Sequence, residues 1–281
     1  SAVKESLLRV TTALQSCDYR VPGRKIVINL APANLRKEGS GYDVAIAVGL
    51  LAASQQITVP DTQDFLILGE LALDGSLRDV PGALPIALKG KEQGFSKCIF
   101  PCASALEASE VEGIKIYGAA NIGEVVDILN GEDYTESLVV RPGEEHPDED
   151  RTCKADFADV IGQEFAKRGM EIAASGGHNL ILCGVPGSGK SFMASCLASI
   201  LPGMSREESL ETSAVYSVAG LLKGRGLIRE RPFRTPHNTS SVVAMVGGGP
   251  SACPGEISLA HNGVLYLDEI SLFSASALDL L

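Results

Sequence analysis

The residues with the clearest chemical potential lie in a glycine-rich octet at positions 184–191. Its sequence, GVPGSGKS, fits the pattern G-x-x-x-x-G-K-[ST] at every fixed position. In this pattern the backbone N–H groups surround a polyphosphate, the lysine reaches the β- and γ-phosphates, and the hydroxyl residue contacts Mg²⁺. The sequence therefore predicts a polyphosphate-binding loop formed by Gly184, Val185, Pro186, Gly187, Ser188, Gly189, Lys190 and Ser191.

The sequences on either side of the octet indicate how it is held. Asn179–Cys183 is a short apolar run of strand type, and Phe192–Leu201 alternates apolar and small residues at helical spacing. A polyphosphate is favoured between such elements because the N–H groups and the dipole at a helix N-terminus attract anions. We therefore expect a buried strand, the phosphate loop and a helix in that order.

Two adjacent carboxylates follow a second apolar run. Val264–Leu267 leads into Asp268 and Glu269, which fits the Walker B pattern. In enzymes with a phosphate loop, such a carboxylate helps to hold the Mg²⁺ that the loop hydroxyl also contacts. We therefore expect Ser191 and Asp268 to hold the metal. Lys190 and Glu269 are the expected catalytic residues, the second because a carboxylate there can orient and polarise the attacking water.

Composition limits the class of protein. The 281 residues include 24 basic and 35 acidic side chains, a net charge of −11, which argues against a uniformly basic nucleic-acid-binding surface. No apolar run reaches the ~20 residues that a membrane-spanning helix needs, so we expect no membrane partner. The seven cysteines are odd in number, and Cys98 and Cys102 lack a second Cys/His pair. This favours buried free thiols in a reducing cytoplasm over a zinc site.

Shifts in composition divide the chain into three parts. Residues 1–131 have the mixed helical and strand patterns of one compact domain. Residues 132–155 are acidic and poor in apolar side chains, which predicts a solvated linker. Residues 156–281 form a second domain that contains both motifs.

Three local signals stand out in the first domain. Lys25–Leu30 is a run of β type. Asp43 precedes an apolar helix and is placed to cap it. Asp74-Gly75 lies between two short apolar runs and predicts a hairpin turn.

Residues 156–281 resemble AAA+ ATPases of the magnesium-chelatase-like branch. Asp156–Gln163 is similar to the N-terminal box of that superfamily, and Gly176–Leu180, Arg231–His237 and Pro254–Gly263 resemble stretches of the branch. The resemblance implies an α/β P-loop AAA+ domain with a parallel sheet, and ATP and Mg²⁺ as cofactors. It also implies that adenine lies against the backbone of the box, at Val160, Ile161 and Gly162.

Residues 1–131 resemble the N-terminal domain of the ComM/YifB family of magnesium-chelatase-like proteins. The resemblance rests on Asn29–Ala33, Lys37–Asp43 and Gly69–Arg78. That domain is similar to the Lon protease domain, so the resemblance implies an α+β, Lon-protease-like or S5-like fold in front of the ATPase domain.

A Lon-like fold raises the possibility of peptide hydrolysis by a Ser-Lys dyad. The position that aligns with the nucleophilic serine is Gly41, with Ser40 one place early, and Leu84 aligns with the lysine. A leucine cannot accept the serine proton, so the dyad is missing at the aligned positions. Ser40 paired with Lys37, or with Lys89 as a displaced base, stays an open alternative.

The family resemblance implies a cytoplasmic ring hexamer that uses ATP to act on single-stranded or branched DNA, as a helicase that promotes branch migration in natural transformation. A hairpin inserted near Gly247–Glu256 and pointing toward the pore is one expected DNA contact. Alternatives are the ATPase subunit of magnesium chelatase, an ATP-dependent Lon-like protease and a remodelling ATPase. The resemblance also places the sensor residues and the arginine finger beyond Leu281, so we expect a C-terminally incomplete chain with slow hydrolysis. The other expected DNA contacts are Arg225, Arg229, Arg231 and Arg234.

Overall fold

The structure is a computed structural model in which the chain forms two compact units. Unit 1 comprises Ser1–Gly143 and Ser217–Gly226, and unit 2 comprises Glu144–Tyr216 and Leu227–Leu281. No helix in the described part of the chain is long and apolar enough to cross a bilayer. The described residues are 2–23, 25–29, 40–59, 64–142, 155–222, 226–249 and 252–281.

Unit 1 contains a parallel sheet flanked by helices. Its elements are α1 (Ala2–Ser16), α2 (Asp43–Ala53), β1 (Phe65–Ile67), β2 (Glu70–Leu71), β3 (Leu77–Arg78), α3 (Ala83–Glu92), β4 (Lys97–Pro101), α4 (Cys102–Ala108), β5 (Lys115–Ala119) and α5 (Ile122–Asn130). Strand β4 lies between β1 and β5 and pairs with both in parallel, while β2 and β3 form an antiparallel pair. Parallel neighbours need crossover connections, and α3 and α4 supply helices in these connections.

The core of unit 1 lies between the sheet and the helices α1, α2 and α5. It is formed by apolar side chains from each of them, such as Leu14, Leu51, Ile99 and Leu129. Helix α2 is apolar on most of its surface because it is enclosed by these elements.

Asp43 does not cap α2, and the prediction that it would is wrong. Tyr42 is the N-cap residue and makes no side-chain capping bond. The Asp43 carboxylate is fully buried and accepts hydrogen bonds from the Ser6 hydroxyl and, at 3.0 Å, from Arg9 Nε. The hydrogen bond to Asp43 raises the pKa of Arg9. Burying an unpaired charge costs more free energy than leaving a helix end without a side-chain cap, so the Asp43 carboxylate is paired with Ser6 and Arg9 instead.

Asp74-Gly75 forms the predicted turn between β2 and β3. Gly75 has φ of 85°, and a Cβ there would lie 2.2 Å from Cys17 Sγ, so only glycine fits. The strand prediction at Lys25–Leu30 is not supported, since residues 25–29 pair with no strand in the described part of the chain. Leu30 lies outside the described residues.

The start of the acidic segment packs on unit 1. Asp133–Leu138 forms a 3-10 helix, Val139 bridges to Tyr117, and Val140 N donates to Ile116 O at 2.9 Å. This differs from the solvated linker expected over residues 132–155. The few apolar residues of the segment are enough to attach it to the edge strand β5. Residues 143–154 lie outside the described part of the chain.

Unit 2 combines helices with short strands. Its elements are α6 (Glu164–Gly176), α7 (Lys190–Cys196), α8 (Arg206–Val218), β6 (Phe233–Arg234), α9 (Val242–Val246), β7 (Gly247–Gly248), β8 (Cys253–Pro254), α10 (Glu256–Leu259), β9 (Val264–Leu265) and α11 (Ala275–Leu278). Strands β6 and β9 pair in parallel, and β7 and β8 form a hairpin. Helix α8 ends in unit 1, where the Ser217 hydroxyl donates to the buried Glu107 carboxylate at 2.8 Å.

The expected buried strand before the phosphate loop does not form within the described residues. Asn179–Cys183 pairs with no described strand, and Ile181 is 81% exposed. The run Val264–Leu267 is likewise reduced to the two residues of β9. A strand is defined by its hydrogen-bonded neighbours, and no described segment supplies a neighbour for Asn179–Cys183.

The expectation of buried thiols is only partly correct. Cys98 and Cys196 are buried, whereas Cys102, Cys183 and Cys253 are exposed. Burial raises the pKa of Cys98 to about 12 and, with nearby Glu124 and Asp79 carboxylates, raises that of Cys102 as well. No described group of three or more His, Cys, Asp or Glu residues could hold a metal ion.

These exposures predict an order of thiol modification in the native protein. A maleimide at pH 7.5 should modify Cys183 and Cys253 first and Cys102 more slowly, because a raised pKa lowers its thiolate fraction. Cys98 and Cys196 should react only after denaturation. Peptide mapping by mass spectrometry at successive times would check this order. Early modification of Cys98 would contradict the burial described for it.

Candidate nucleotide-binding site

The phosphate loop makes a sharp turn into α7. Gly187 and Gly189 have φ of 78° and 84°, a region that favours glycine because a Cβ would be strained there. Gly189 is the N-cap of α7, and its carbonyl accepts the Met193 N–H at 2.9 Å. Val185 and Pro186 at the tip are exposed. The glycines of the pattern thus form the turn that begins the helix.

The Lys190 side chain folds back over the octet. Its Nζ donates to the carbonyl oxygens of Gly184 and Val185, at 3.0 Å each. Both acceptors belong to the loop itself, so the ammonium group lies against the concave side of the turn. Phosphate oxygens are charged and would be stronger acceptors for the same group.

The two motifs meet at Ser191 and Asp268. The Ser191 hydroxyl donates to Asp268 Oδ2 at 3.0 Å, although the two residues are 77 positions apart. Tertiary structure therefore brings the end of the phosphate loop to the carboxylate that follows β9. This is the pair that the sequence predicts to hold Mg²⁺.

The donor atoms at this contact suit Mg²⁺. Ser191 and Asp268 offer a hydroxyl and a carboxylate, the hard oxygen donors that Mg²⁺ prefers, and the Glu269 carboxylate follows directly. Mg²⁺ usually takes one or two protein carboxylates and keeps water and substrate phosphates as its other ligands, so a larger cluster is not needed. A bound Mg²⁺ would neutralise phosphate charge at this place.

Glu269 has an unusual backbone conformation. Its φ of 51° and ψ of 56° lie in the left-handed region, which non-glycine residues rarely adopt. The residue is exposed and caps the 3-10 helix Ile270–Leu272. Strain of this kind concentrates at functional sites, where it holds a side chain in one orientation.

Tyr266 is a residue of this site that the sequence motifs did not indicate. Its hydroxyl donates to Asp268 Oδ1 at 3.0 Å, and its ring stacks on Phe233 with centroids 6.1 Å apart. Burial raises the pKa of Tyr266, a hydrogen bond with the Ser191 side chain opposes this shift, and Asp268 adds to it, so the phenol stays protonated at neutral pH. The signal that could have revealed it is its position two residues before Asp268, since i and i+2 share a face of an extended chain.

The N-terminal box packs against the phosphate-loop helix. Phe157 and Val160 share a core with Met193 and Cys196 of α7. The Val160 side chain is therefore buried in this core, whereas the Ile161 side chain is 95% exposed. The adjacent Gly162 and Gln163 have positive φ, which turns the chain sharply between the box and α6. The structure thus fixes the predicted adenine-contacting segment to the same helix that carries Lys190.

A cleft of about 710 Å³ lies beside this arrangement, between residues 155–156, 195–204 and 229–233. The octet, Asp268 and Glu269 do not line it. The phosphate loop is open to solvent instead, and we do not assign the nucleotide to the cleft.

Comparison with known families agrees with this geometry. The family described as magnesium chelatase, subunit ChlI, matches residues 156–281, and the family described as subunit ChlI of Mg-chelatase matches residues 1–104. A protein named YifB, from Salmonella typhimurium, is 45% identical over 281 residues, which are 100% of this chain and 54% of the relative. The chain belongs to the ComM/YifB family of magnesium-chelatase-like proteins.

Other relatives extend the family picture. The competence protein ComM of Haemophilus influenzae is 41% identical over 279 residues, which are 99% of this chain and 55% of the relative. Lon protease 2 of Bacillus subtilis is 27% identical over 148 residues, 52% of this chain and 25% of the relative. The chain spans about half the length of the YifB and ComM relatives. The mixed α/β fold with parallel strands and the Lon-like similarity fit an AAA+-type ATPase family.

The arginine-rich segment of this family member has a structural role at Arg231. Its guanidinium donates to the carbonyl oxygens of Pro202 at 2.7 Å, Gly203 at 3.3 Å and Asn262 at 2.7 Å. It also forms two hydrogen bonds with the Glu208 carboxylate. Arg231 thus joins the chain before α8, α8 itself and the turn before β9.

Arg234 is similarly engaged. It forms a bidentate pair with Glu256 at the start of α10, with both distances 2.7 Å, and this bond raises the pKa of Arg234. The expectation that all four arginines of the segment reach DNA is therefore not supported for Arg231 and Arg234, because both are bound to groups of the chain. Arg229 also has a partner within the chain, and Arg225 lies outside the described residues.

Replacing Arg231 should test this structural role. Arg231→Ala is expected to destabilise unit 2 by roughly 2–3 kcal/mol, because three backbone carbonyls lose a half-buried donor. Arg231→Lys should recover only part of the lost stability, because lysine keeps the positive charge but lacks the planar fork that reaches several acceptors. Thermal denaturation gives the comparison, with Arg168→Ala on the exposed face of α6 as the control. Equal melting temperatures for all variants would contradict the role.

The inserted hairpin is present where the family resemblance places it. Strands β7 and β8 pair between α9 and α10, with Gly247 opposite Pro254. A Cβ on Gly255 would lie 2.3 Å from Gly247 N, and a Cβ on Gly247 would lie 2.6 Å from Cys253 O. The base of the hairpin is therefore so tightly closed that both positions require glycine.

The open alternative of a displaced Ser-Lys dyad gains no support in unit 1. The Ser40 hydroxyl donates to the Glu70 carboxylate. Lys89 pairs at 2.7 Å with Glu92 on the exposed side of α3. Ser40 and Lys89 are thus bound to different carboxylates, so the described hydrogen bonds do not pair Lys89 with Ser40. Lys37 lies outside the described residues.

Proposed function

We propose that this chain binds ATP with Mg²⁺ and supplies the phosphate loop and the water-activating carboxylate of an ATPase. The hydrogen bond between Ser191 and Asp268 carries this proposal, because it joins the two predicted metal-binding residues across 77 positions. In this proposal the octet from Gly184 to Ser191, which includes Lys190, holds the phosphates. The segment Val160–Gly162 holds the adenine.

The chemistry follows from the placement of the carboxylates. Mg²⁺, when bound, neutralises charge on the β- and γ-phosphates. Glu269 follows the metal-binding Asp268 directly and is exposed toward solvent, from which the attacking water must come. It orients that water and accepts a proton from it. Lys190 leaves the carbonyls of the loop and donates to the phosphates.

We further propose that the full-length protein is a cytoplasmic ring, a hexamer, that uses ATP to move single-stranded or branched DNA. The name of the Haemophilus relative, a competence protein, supports DNA as the substrate. In this proposal the β7–β8 hairpin, which is tightly closed at its base, contacts the DNA strand. The net charge of −11 makes a local contact more suitable than a broad basic surface.

A second candidate is metal insertion into a porphyrin. The matching families are named after the magnesium chelatase subunit ChlI, which favours it. The competence-protein relative favours the DNA motor. The nucleotide chemistry would be the same in both.

A branch-migration assay would test the proposal. Full-length wild-type protein should move a four-way DNA junction when ATP and Mg²⁺ are present, and Lys190→Ala and Glu269→Gln should not. Lys89→Ala, which removes an exposed lysine of unit 1, should behave as wild type. ATP hydrolysis without junction movement would reject the DNA motor and keep the ATPase. Stimulation of hydrolysis by a porphyrin rather than by DNA would favour the chelatase.

A further inference from the structure

The described cations of unit 2 are already engaged by the chain itself. Outside the phosphate loop, each of them interacts with another residue of the chain: Lys167, Arg168, Arg206, Arg229, Arg231 and Arg234. A DNA phosphate would have to displace these partners. The β7–β8 hairpin supplies no cation either, because residues 241–255 contain no charged side chain. Cations outside unit 2 are therefore better candidates for holding a DNA backbone.

Unit 1 contains a stretch with a positive charge balance. Between Asp18 and Glu38 the sequence has no acidic residue and five basic ones, which are Arg20, Arg24, Lys25, Arg36 and Lys37. Two of them, Arg20 and Lys25, belong to the described part of the chain, where both are exposed and form no ion pair with a described residue. In a chain with a net charge of −11, this stretch is a local positive region of the kind that attracts a phosphate backbone.

The backbone at Arg20 is fixed by one side chain. Arg20 N donates to Gln56 Oε1 at 2.8 Å, and Gln56 Nε2 donates to Arg20 O at 2.6 Å. Both polar groups of the Arg20 main chain are thus bound by the segment that follows α2. The guanidinium therefore extends into solvent from an anchored position.

The segment that carries Lys25 is held in a similar way. Exposure alternates along it, with Ile26 and Ile28 half-buried and Lys25, Val27 and Asn29 exposed. The isoleucines attach the segment to unit 1, so the ammonium group of Lys25 and the amide of Asn29 are both presented to solvent. Lysine, arginine and asparagine are common donors to DNA phosphates.

Other cations of unit 1 fit this role less well. The ammonium group of Lys97 lies over the Phe65 ring, 4.8 Å from its centroid. Lys91 is followed directly by Glu92, and Arg141 adjoins the acidic segment. Carboxylates near these cations would repel a phosphate.

We propose that Arg20 and Lys25 bind the phosphate backbone of single-stranded DNA, which makes the Lon-like part of the chain a DNA-contacting domain. The contact is independent of base sequence, because every nucleotide presents the same phosphate. This inference rests on the proposed DNA function and adds to it the residues that hold the backbone.

The experiment measures how DNA affinity depends on salt. Full-length protein is titrated into a fluorescent single-stranded oligonucleotide over a range of salt concentrations, and binding is followed by anisotropy. Arg20→Ala/Lys25→Ala removes the two proposed contacts, and Arg20→Lys/Lys25→Arg keeps both charges. Lys89→Ala/Arg168→Ala is the matched control, because it removes two exposed positive charges that are paired with Glu92 and Glu171. Thermal denaturation checks that each variant is folded.

The measured quantity is the slope of the logarithm of the binding constant against the logarithm of the salt concentration. Each phosphate contact on a single strand contributes about 0.7 to this slope, so Arg20→Ala/Lys25→Ala should reduce it by about 1.4. The same loss weakens binding by about 25-fold at roughly 0.1 M salt. The charge-keeping variant and the matched control should retain the wild-type slope.

The outcomes separate this inference from the function on which it rests. An unchanged slope in Arg20→Ala/Lys25→Ala, or an equal loss in the matched control, would overturn the inference and leave the DNA motor intact. An equal loss in the charge-keeping variant would also overturn it, because charge would then not be the cause. ATP hydrolysis by a wild-type protein that binds no DNA would overturn the proposed DNA function together with the inference.

Discussion

ATP hydrolysis by the full-length protein should fall by about 10²- to 10⁴-fold when Glu269 is replaced by glutamine. The amide keeps the shape and hydrogen-bonding reach of the side chain but cannot accept a proton from water. Nucleotide binding should persist, because neither the octet nor Ser191 and Asp268 is altered. Phosphate release gives the turnover, and a fluorescent ATP analogue gives the affinity.

The control for this change is Glu171→Gln. Glu171 is an exposed carboxylate of α6 that pairs with Arg168 at 3.0 Å, so the same chemical change occurs away from the site. It should hydrolyse ATP as the wild type does. If Glu269→Gln kept its turnover, the attacking water would be activated by another group. If it lost nucleotide affinity as well, Glu269 would act in binding rather than in proton transfer.

Removing the Lys190 ammonium should weaken ATP binding by about a hundredfold, the equivalent of roughly 2.7 kcal/mol. Lys190→Met keeps the length of the side chain and removes its charge. The loss arises because the wild-type ammonium would exchange two neutral carbonyl acceptors, at 3.0 Å each, for charged phosphate oxygens. Isothermal titration of the full-length protein with ATP would measure it.

A second variant separates charge from shape at this position. Lys190→Arg keeps the charge, but a planar guanidinium does not fit the tight curve of the loop as a compact ammonium does, so affinity should recover only in part. Lys89→Met on α3 should bind ATP as the wild type does. Wild-type affinity in Lys190→Met would show that the octet does not hold the phosphates through its lysine.

The residues of the candidate site could be identified from local sequence because its motifs are contiguous. The octet contains its own turn-forming glycines, its lysine and its hydroxyl group, and Asp268 and Glu269 are neighbours. The Asp74-Gly75 turn was predictable for the same reason, since its conformation depends on the two residues themselves.

Other local predictions were wrong because distant partners outweighed local preference. Asp43 lies at the start of a helix, yet its buried carboxylate accepts a hydrogen bond from Arg9 instead of capping the helix. Asn179–Cys183 has strand composition but pairs with no described strand, and composition cannot supply the hydrogen-bonding neighbour. Arg231 and Arg234 are paired with Glu208 and Glu256, partners that the local sequence does not indicate, and their contact with nucleic acid stays a prediction.

The sequence by itself thus determined which groups can do chemistry: a phosphate loop with Lys190 and Ser191, and a carboxylate pair at Asp268 and Glu269. Only the tertiary structure decided that Ser191 meets Asp268 and that Tyr266 holds the other oxygen of the same carboxylate. The physical reason is the range of the interactions. Turn and helix preferences act between neighbours in the chain, whereas a shared carboxylate is reached only after the strands have paired and packed.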